Sequence, residues 1–205
     1  MVKEIILIGA GGHAKSCLDV ISTHKKKFKI TGLVDNKKNY KKILNLKILG
    51  KDKDLNKIFK KYKYALIAFG QIKTSKLREN CFNNLKKIGF ILPSIISKNS
   101  YFSKYSTIGE GSIVMHGVVV NGFSSIGKNC IINSNSTIEH DVIIGNNCHV
   151  AGGAVINGGV VIGDGTFIGS GAVLKQEIKV GKNCIISANT FLRKDIKDNK
   201  IFIKE

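Results

Sequence analysis

Two stretches of the chain place side chains where they could do chemistry. In one, His140 is followed directly by Asp141. A carboxylate beside an imidazole orients the ring and favours its protonated form, which is the equipment of a general base. Eighteen residues to either side of His140 stand Gly122 and Gly158. A chain coiling with that period would flank the imidazole with two positions lacking side chains, leaving room for a substrate. A solvated histidine in a polar turn is the competing reading, and the residues alone keep both open. In the other stretch, the apolar run at 3–8 (KEIILI) leads into Gly9-Ala10-Gly11-Gly12-His13-Ala14. The pattern G-x-G-x-x-A, after a strand and opening a helix, makes a tight turn whose amides and helix N-terminus suit a phosphate. His13 could donate to a bound ligand there, or serve only as polarity at the helix start. A second strand near Lys29–Val34 ends at Asp35-Asn36, and an acidic side chain there suits a ribose hydroxyl.

The other histidines add one alternative. His149 lies nine residues beyond His140, and His116 falls on a different corner of the repeat described below. Three convergent imidazoles would make a zinc site, so a metal-dependent hydratase is a minor alternative to a reading without metal. His24 stands in a Lys run and reads as solvated. Cys17, Cys81, Cys130, Cys148 and Cys184 form no C-x-x-C pair. They read as packed thiols in a reducing compartment.

A repeat must position these residues. Every sixth residue from Ile108 to Leu192 is Ile, Val or Leu, in fifteen hexads without an insertion. Period six fits neither strand alternation nor the helical 3.6. It fits a coil in which each hexad makes one short strand and one turn. Three hexads then make a triangular rung, and rungs stack at roughly 4.8 Å. The aliphatic residue and a small one four positions later, such as Ser112, Cys130 or Ala154, point inward. Ile96 and Phe102 extend the register backwards; it lapses after Lys197, leaving the tail 198–205 as a short terminal strand. The turn residues sort into three columns. Gly111, Asn129, Asn147, Gly165 and Asn183 form one, and Gly117, Asn135, Gly153, Gly171 and Asn189 another. Gly and Asn enter left-handed backbone most cheaply. The third column, Phe123, Asp141, Gly159, Glu177 and Asp195, departs from that rule and carries the His140-Asp141 pair. Local rules fail most often at functional places.

The hexads occupy about half of the 205 residues, so residues 1–94 form a separate unit. Strands at 3–8, 29–34, 64–69 and 90–92 alternate with helices after Gly12, over 54–61 and over 74–88, the last with apolar Leu77, Cys81, Leu85 and Ile88. Residues 36–53 read as a Lys-rich connection. This alternation predicts a small Rossmann-like parallel sheet whose ligand sits at the strand carboxyl ends, at Gly9–His13, Asp35-Asn36 and Gly70. The unit is too small for both halves of a dinucleotide fold, which argues against an oxidoreductase. The fold class is therefore α/β plus all-β: a small parallel-sheet domain over 1–94, then a parallel β-helix over 95–205. The net charge of +19 comes from 33 basic and 14 acidic residues. Nearly all the basic residues are Lys and they concentrate in the first half, as in a solvated surface. Scarce Arg, few aromatics and no reading motif argue against nucleic acid. The chain shows no leader and no membrane-spanning apolar run, so it reads as cytoplasmic with no membrane partner.

The combination of strand–GAGGHA–helix, LVDN, ALIAFG and hexads containing NSNSTIEHDVIIGNNCHVAGGAVI resembles the sugar O-acyltransferase family. That family includes sialic acid O-acetyltransferases and the UDP-4-amino-sugar N-acetyltransferase of the bacillosamine pathway. The resemblance covers nearly the whole chain, and the GGH turn together with IEHD is its specific part. It implies a left-handed coil, against the usual crossover preference, and a homotrimer with active sites between adjacent prisms. It implies acetyl-CoA as co-substrate along the prism and a nucleotide-activated sugar bridging to the N-terminal sheet. On that match His140 is the general base and Asp141 raises its basicity. His149, Ser170 and Ser187 would hold acetyl-CoA. Gly11, Gly12, His13, Asp35, Asn36 and Gly70 would hold the sugar nucleotide. The implied reaction is N-acetylation of a nucleotide-linked 4-amino sugar in bacterial surface-glycan biosynthesis, with O-acetylation of a sialic-acid-type sugar as the alternative. The chain departs from the bacillosamine-pathway enzyme in a longer loop at Gln71–Lys76 and in Asp rather than Glu at 141. It also lacks the G-x-P-A-K ending common in such prisms.

Overall fold

In a computed structural model, which describes residues 2–36, 42–43 and 45–203, the apolar run at 3–8 is strand β1 (Lys3–Ile8), buried from Ile5 onward. Helix α1 (Gly12–Ser22) follows the glycine turn and buries Ala14, Cys17, Val20 and Ile21. Strand β2 (Phe28–Val34) returns parallel to β1. The expected connection at 36–53 instead holds a hairpin of β3 (Lys42–Ile43) and β4 (Leu46–Gly50), and β4 pairs parallel with β2. Two apolar residues in a Lys-rich run are too few to announce a strand. Tertiary contact makes it: Leu49 packs onto Gly32, where an added Cβ would come within 2.5 Å of Leu49 Cγ. After a 3-10 turn (Asp52–Asp54) come α2 (Leu55–Lys61), β5 (Tyr64–Ile67) and α3 (Lys76–Ile88). The sheet order is β3-β4-β2-β1-β5. The expected strand at 90–92 is a single bridge between Tyr64 and Ile91. The inner face of helix α3 is rotated from the one its apolar positions suggest: Leu85 is central to it, and Cys81 and Ile88 lie only partly buried at its margin. Arg78, Phe82 and Leu85 are buried, while Leu77 is 74% exposed.

From Ile95 each hexad forms a two-residue strand, and the strands stack into a left-handed parallel β-helix with faces of seven, six and five strands. The tail contributes Ile201–Phe202 to the seven-stranded face. Pairing runs from each strand to the one eighteen residues on, as in Ile113 to Ile131 to His149, until the tail strand, where Ile185 pairs with Ile201. The hexad aliphatics from Val114 to Leu192 line a buried interior. The small inward residue is more than small. Ser112 Oγ donates to the Gly127 carbonyl (2.7 Å), Cys148 Sγ to that of Gly163 (3.2 Å) and Thr166 Oγ1 to that of Gly181 (2.7 Å). Ser112 Oγ also accepts the Cys130 N–H (2.8 Å). Hydroxyls and thiols at this position thus bridge successive rungs.

The third column of turns corrects one expectation. Phe123 (φ +62°), Asp141 (φ +61°) and Glu177 (φ +64°) take the same left-handed conformation as the Gly and Asn corners. Down to Glu177 the column departs in residue type and not in backbone; Asp195, where the regular register ends, does not take that conformation. For a residue such as Phe123 that conformation costs about 1 kcal/mol or more. The N-terminal unit packs on the seven-stranded face, whose outward Ile95, Ile113, Ile131 and His149 are buried. His24, expected to be solvated, donates from Nε2 to the Ile96 carbonyl (2.6 Å) and ties the end of α1 to the first prism strand. His116 accepts from Ser97 Oγ at Nδ1 (2.6 Å) and meets Asp19 of α1 at Nε2 (3.1 Å). Among the described residues no helix is long and apolar enough to cross a membrane.

Candidate active site

The edge between the six- and five-stranded faces carries His140 and Asp141. The left-handed turn at Asp141 brings its carboxylate back to the preceding ring, and His140 Nδ1–H donates to Asp141 Oδ2 (2.8 Å). Nε2 is then the nitrogen with a lone pair, the state of a proton acceptor. Backbone bonds to both neighbouring rungs fix the pair: Asp141 N–H to Gly122 O (3.2 Å) and Gly159 N–H to His140 O (3.0 Å). The ring lies directly on Gly158, where a Cβ would stand 2.6 Å from Cε1 and 2.7 Å from Nε2. Gly158 therefore makes room for the imidazole itself, not for substrate as the spacing suggests. Space is also open beside Gly122, whose Cβ would meet only Ser103 Oγ at 3.8 Å, while the cleft itself runs past the ring toward Gly159 and Glu177. The pair heads an open cleft of about 500 Å³, lined also by Glu139, Asn157, Gln176 and Glu177.

A second cleft, of about 690 Å³, opens at the carboxyl ends of β1 and β2 between Gly11, Asp35, Asn36, Phe69 and Leu77. Gly9 (φ +103°) makes the turn against Phe69, which would touch a Cβ at 3.2 Å. Asp35 Oδ2 accepts the Ala10 N–H (2.8 Å) and braces the turn. Asn36 is held by Asp52 through Nδ2 (2.7 Å) and through the Asp52 N–H (3.1 Å). Helix α1 starts without a side-chain cap, and the space over Gly11 and Gly12 is open, so its first amides face outward. Gly70 also has open space beside it but does not line this cleft.

His13 turns the other way, into the seam between the N-terminal unit and the prism. There it lies beside Arg78 and His149. His149 Nδ1–H donates to the Gln71 carbonyl (2.7 Å), and its ring stands edge-on to Phe167 at 5.2 Å. Burial first, and the Arg78 charge after it, lower both imidazoles to about 4, so both are neutral at pH 7. Among the described residues neither Nε2 has a partner. Arg78 is wholly buried; burial lowers it to about 10, which leaves it ionised. Neither Arg78 nor Gln71 belongs to a recognisable motif. The available signal was an Arg in a chain whose other basic residues are nearly all Lys, in register with Phe82 and Leu85 on one face of α3.

Ser170 is exposed and Ser187 half-buried on the edge between the seven- and six-stranded faces. The expected site residues thus fall into four places in one chain: the N-terminal cleft, the seam, this serine edge and the His140 edge. The His140 edge is the one opposite the seven-stranded face on which the N-terminal unit sits. Among the described residues no three His, Cys, Asp or Glu side chains converge on a metal.

Residues 4–85 match the PglD N-terminal domain family, and residues 123–158 and 159–194 each match the bacterial transferase hexapeptide (six repeats) family. No curated protein matches the sequence. Solved structures do. PerB from Caulobacter crescentus, in complex with CoA and GDP-perosamine, is 27% identical, with a TM-score of 0.90 over 98% of this chain and 94% of that one. The acetyltransferase domain of PglB from Neisseria gonorrhoeae, in complex with acetyl coenzyme A, is 26% identical, with a TM-score of 0.88 over 96% and 94%. WeeI from Acinetobacter baumannii is 26% identical, with a TM-score of 0.86 over 98% and 96%.

Proposed function

Starting from a chain that belongs to the hexapeptide-repeat sugar acyltransferases and carries a PglD N-terminal domain, we propose that it acetylates the amino group of a nucleotide-linked amino sugar with acetyl-CoA, in the cytoplasm. The observation that carries this reading is the His140–Asp141 contact of 2.8 Å at the head of an open cleft. The similar structures with bound CoA, acetyl-CoA and GDP-perosamine support the substrate classes. The substrate nitrogen attacks the thioester carbonyl. A C–N bond forms, the C–S bond breaks, His140 Nε2 takes the proton from nitrogen, and the departing thiolate is protonated in turn. Asp141 stabilises the transient imidazolium, and a backbone amide of the prism stabilises the oxyanion.

Residues 1–94 hold the nucleotide sugar. Its phosphates meet the amides at Gly11 and Gly12, with Asp35 and Asn36 beside them, while His13 and Gly70, expected there from the sequence, lie outside that cleft. His149, Ser170 and Ser187 hold acetyl-CoA. These groups and His140 lie on different parts of one prism, so the His140 edge of one copy completes the site of the next, as in a homotrimer. The outer surface of the six-stranded face, with Val119, Val155 and Val173 half-buried and Tyr101 and Phe191 exposed, suits that contact. The test is CoA release from acetyl-CoA across nucleotide amino sugars and free sialic acids, with His140→Ala alongside. Turnover confined to nucleotide amino sugars, lost in an intact His140→Ala assembly, is expected. Turnover only on hydroxyl acceptors, or an unimpaired variant, would overturn the proposal.

A further inference from the structure

Six buried side-chain polar atoms lack a hydrogen-bond partner among the described residues, and five of them meet in the seam: His13 Nε2, Gln71 Oε1, Arg78 Nη2, Asn129 Oδ1 and His149 Nε2. Unsatisfied buried polar atoms destabilise a fold, so a seam built only for adhesion would not gather them. Arg78 stands at the centre. Its Nη1 donates to the carbonyls of Ile67 (3.0 Å) and Phe69 (2.8 Å), and its Nε to that of Asn129 (3.3 Å). Asn129 returns a bond from Nδ2 to the Arg78 carbonyl (3.3 Å). Among the described residues no carboxylate forms a salt bridge with it, although an unpaired buried charge is costly. One planar guanidinium thus clamps the carboxyl end of β5 to a turn of the prism, a span that Arg makes through donors fixed in one plane.

The loop just beyond that clamp carries Gln71. Its side chain donates to the Asn147 carbonyl and its own carbonyl takes the His149 Nδ1 proton. We propose that Arg78 is a positioning residue: by clamping the Gln71 loop it keeps His149 in the tautomer whose Nε2 accepts an N–H from the ligand. The ligand group is an amide of the acetyl-CoA pantetheine arm, and that part rests on the acetyl-transfer reading.

The test is Arg78→Lys, with nitrogen-15 spectra of the histidine rings, a thermal melt and steady-state kinetics. In the wild type His149 is protonated at Nδ1. In a folded Arg78→Lys protein a mixture of tautomers is expected, with KM for acetyl-CoA raised about tenfold or more and kcat nearly unchanged. An unchanged tautomer overturns the proposal, and a changed tautomer with wild-type KM overturns the ligand's part in it. Should the lysine variant not fold, Arg78→Gln is read the same way. Failure of both to fold assigns Arg78 to structure alone and overturns the positioning role. A wild type without acetyl-CoA turnover sinks the acetyl-transfer reading and the ligand assignment together, while the ring spectra still decide whether Arg78 sets the tautomer.

Discussion

Replacing Asp141 by Asn is expected to leave the prism standing and to slow acetyl transfer by about 10²-fold or more. The backbone argument comes from the other corners, where Asn129, Asn135, Asn147, Asn183 and Asn189 hold φ between +53° and +58°. Asn at 141 therefore enters a conformation the same prism already uses five times. The ion pair it removes is exposed, with side chains 67% and 63% accessible, and such pairs contribute at most about 1 kcal/mol. For a chain of this size that shifts the melting temperature by about 4 °C or less. Ala is a poorer probe, because at φ +61° it adds about 1–2 kcal/mol of backbone cost and confuses folding with chemistry. The kinetic loss has two sources. The amide carries no charge to stabilise the imidazolium, and its Nδ2 can donate to Nδ1, which moves the ring proton to Nε2 and removes the base. CoA release measured with a thiol reagent reads kcat, and burial, which pushes Cys17 and Cys81 up to about 12, keeps those two thiols quiet. Turnover within about threefold of wild type in a fully folded Asp141→Asn protein refutes the reasoning, since it amounts to less than 1 kcal/mol.

Gly158→Ala should disable the same histidine by sterics alone, because the new Cβ would stand 2.6 Å from the ring. The expected result is a fall in kcat of about 10²-fold with an unchanged melt, read in the CoA-release assay. Ser112→Ala removes the bridge to Gly127 and strands the Cys130 N–H. A loss of about 1–3 kcal/mol in urea unfolding is expected, and no measurable loss would deny the hydroxyl its role between rungs. For His13 and His149 the folded midpoints near about 4 lie below the ordinary 6.5, so the unfolded chain binds protons first as the pH falls. Stability should therefore drop between about pH 6.5 and pH 4, by roughly 3 kcal/mol per histidine at most, with little change above. His149→Gln should remove about half of that slope in urea midpoints compared between pH 7 and pH 5.

The prism was legible because its period is short and unbroken: Ile108 to Leu192 fixes the strands, the corners and the edge that carries His140. The glycine turn was legible for a similar reason, since a strand, tight turn and helix follow one another locally. What stayed hidden depends on contacts across the chain. Strand β4 exists because β2 and Gly32 receive it, and nothing in a Lys-rich run says so. Helix α3 conceals its inner face because a wholly buried Arg78 stands where a sequence pattern looks for an aliphatic residue. The role of Gly158 was inverted, because spacing shows that space exists but not which side chain fills it. Nine residues are half a rung, so the spacing itself sets His149 on the face opposite the His140 edge; what it cannot show is that the N-terminal unit covers that face.

The closed rung has a consequence for how such a site could move through evolution. The chain advances like a screw, one face for every six residues and one full turn for every eighteen. Six residues gained ahead of His140 would rotate the dyad by a third of a turn and present it to a different neighbour. Eighteen would leave its azimuth unchanged and shift it along the axis by one rung, roughly 4.8 Å. Duplicating a whole rung therefore changes how deep the base stands relative to the N-terminal unit without changing the direction it faces. Loss of a single hexad would turn it away altogether.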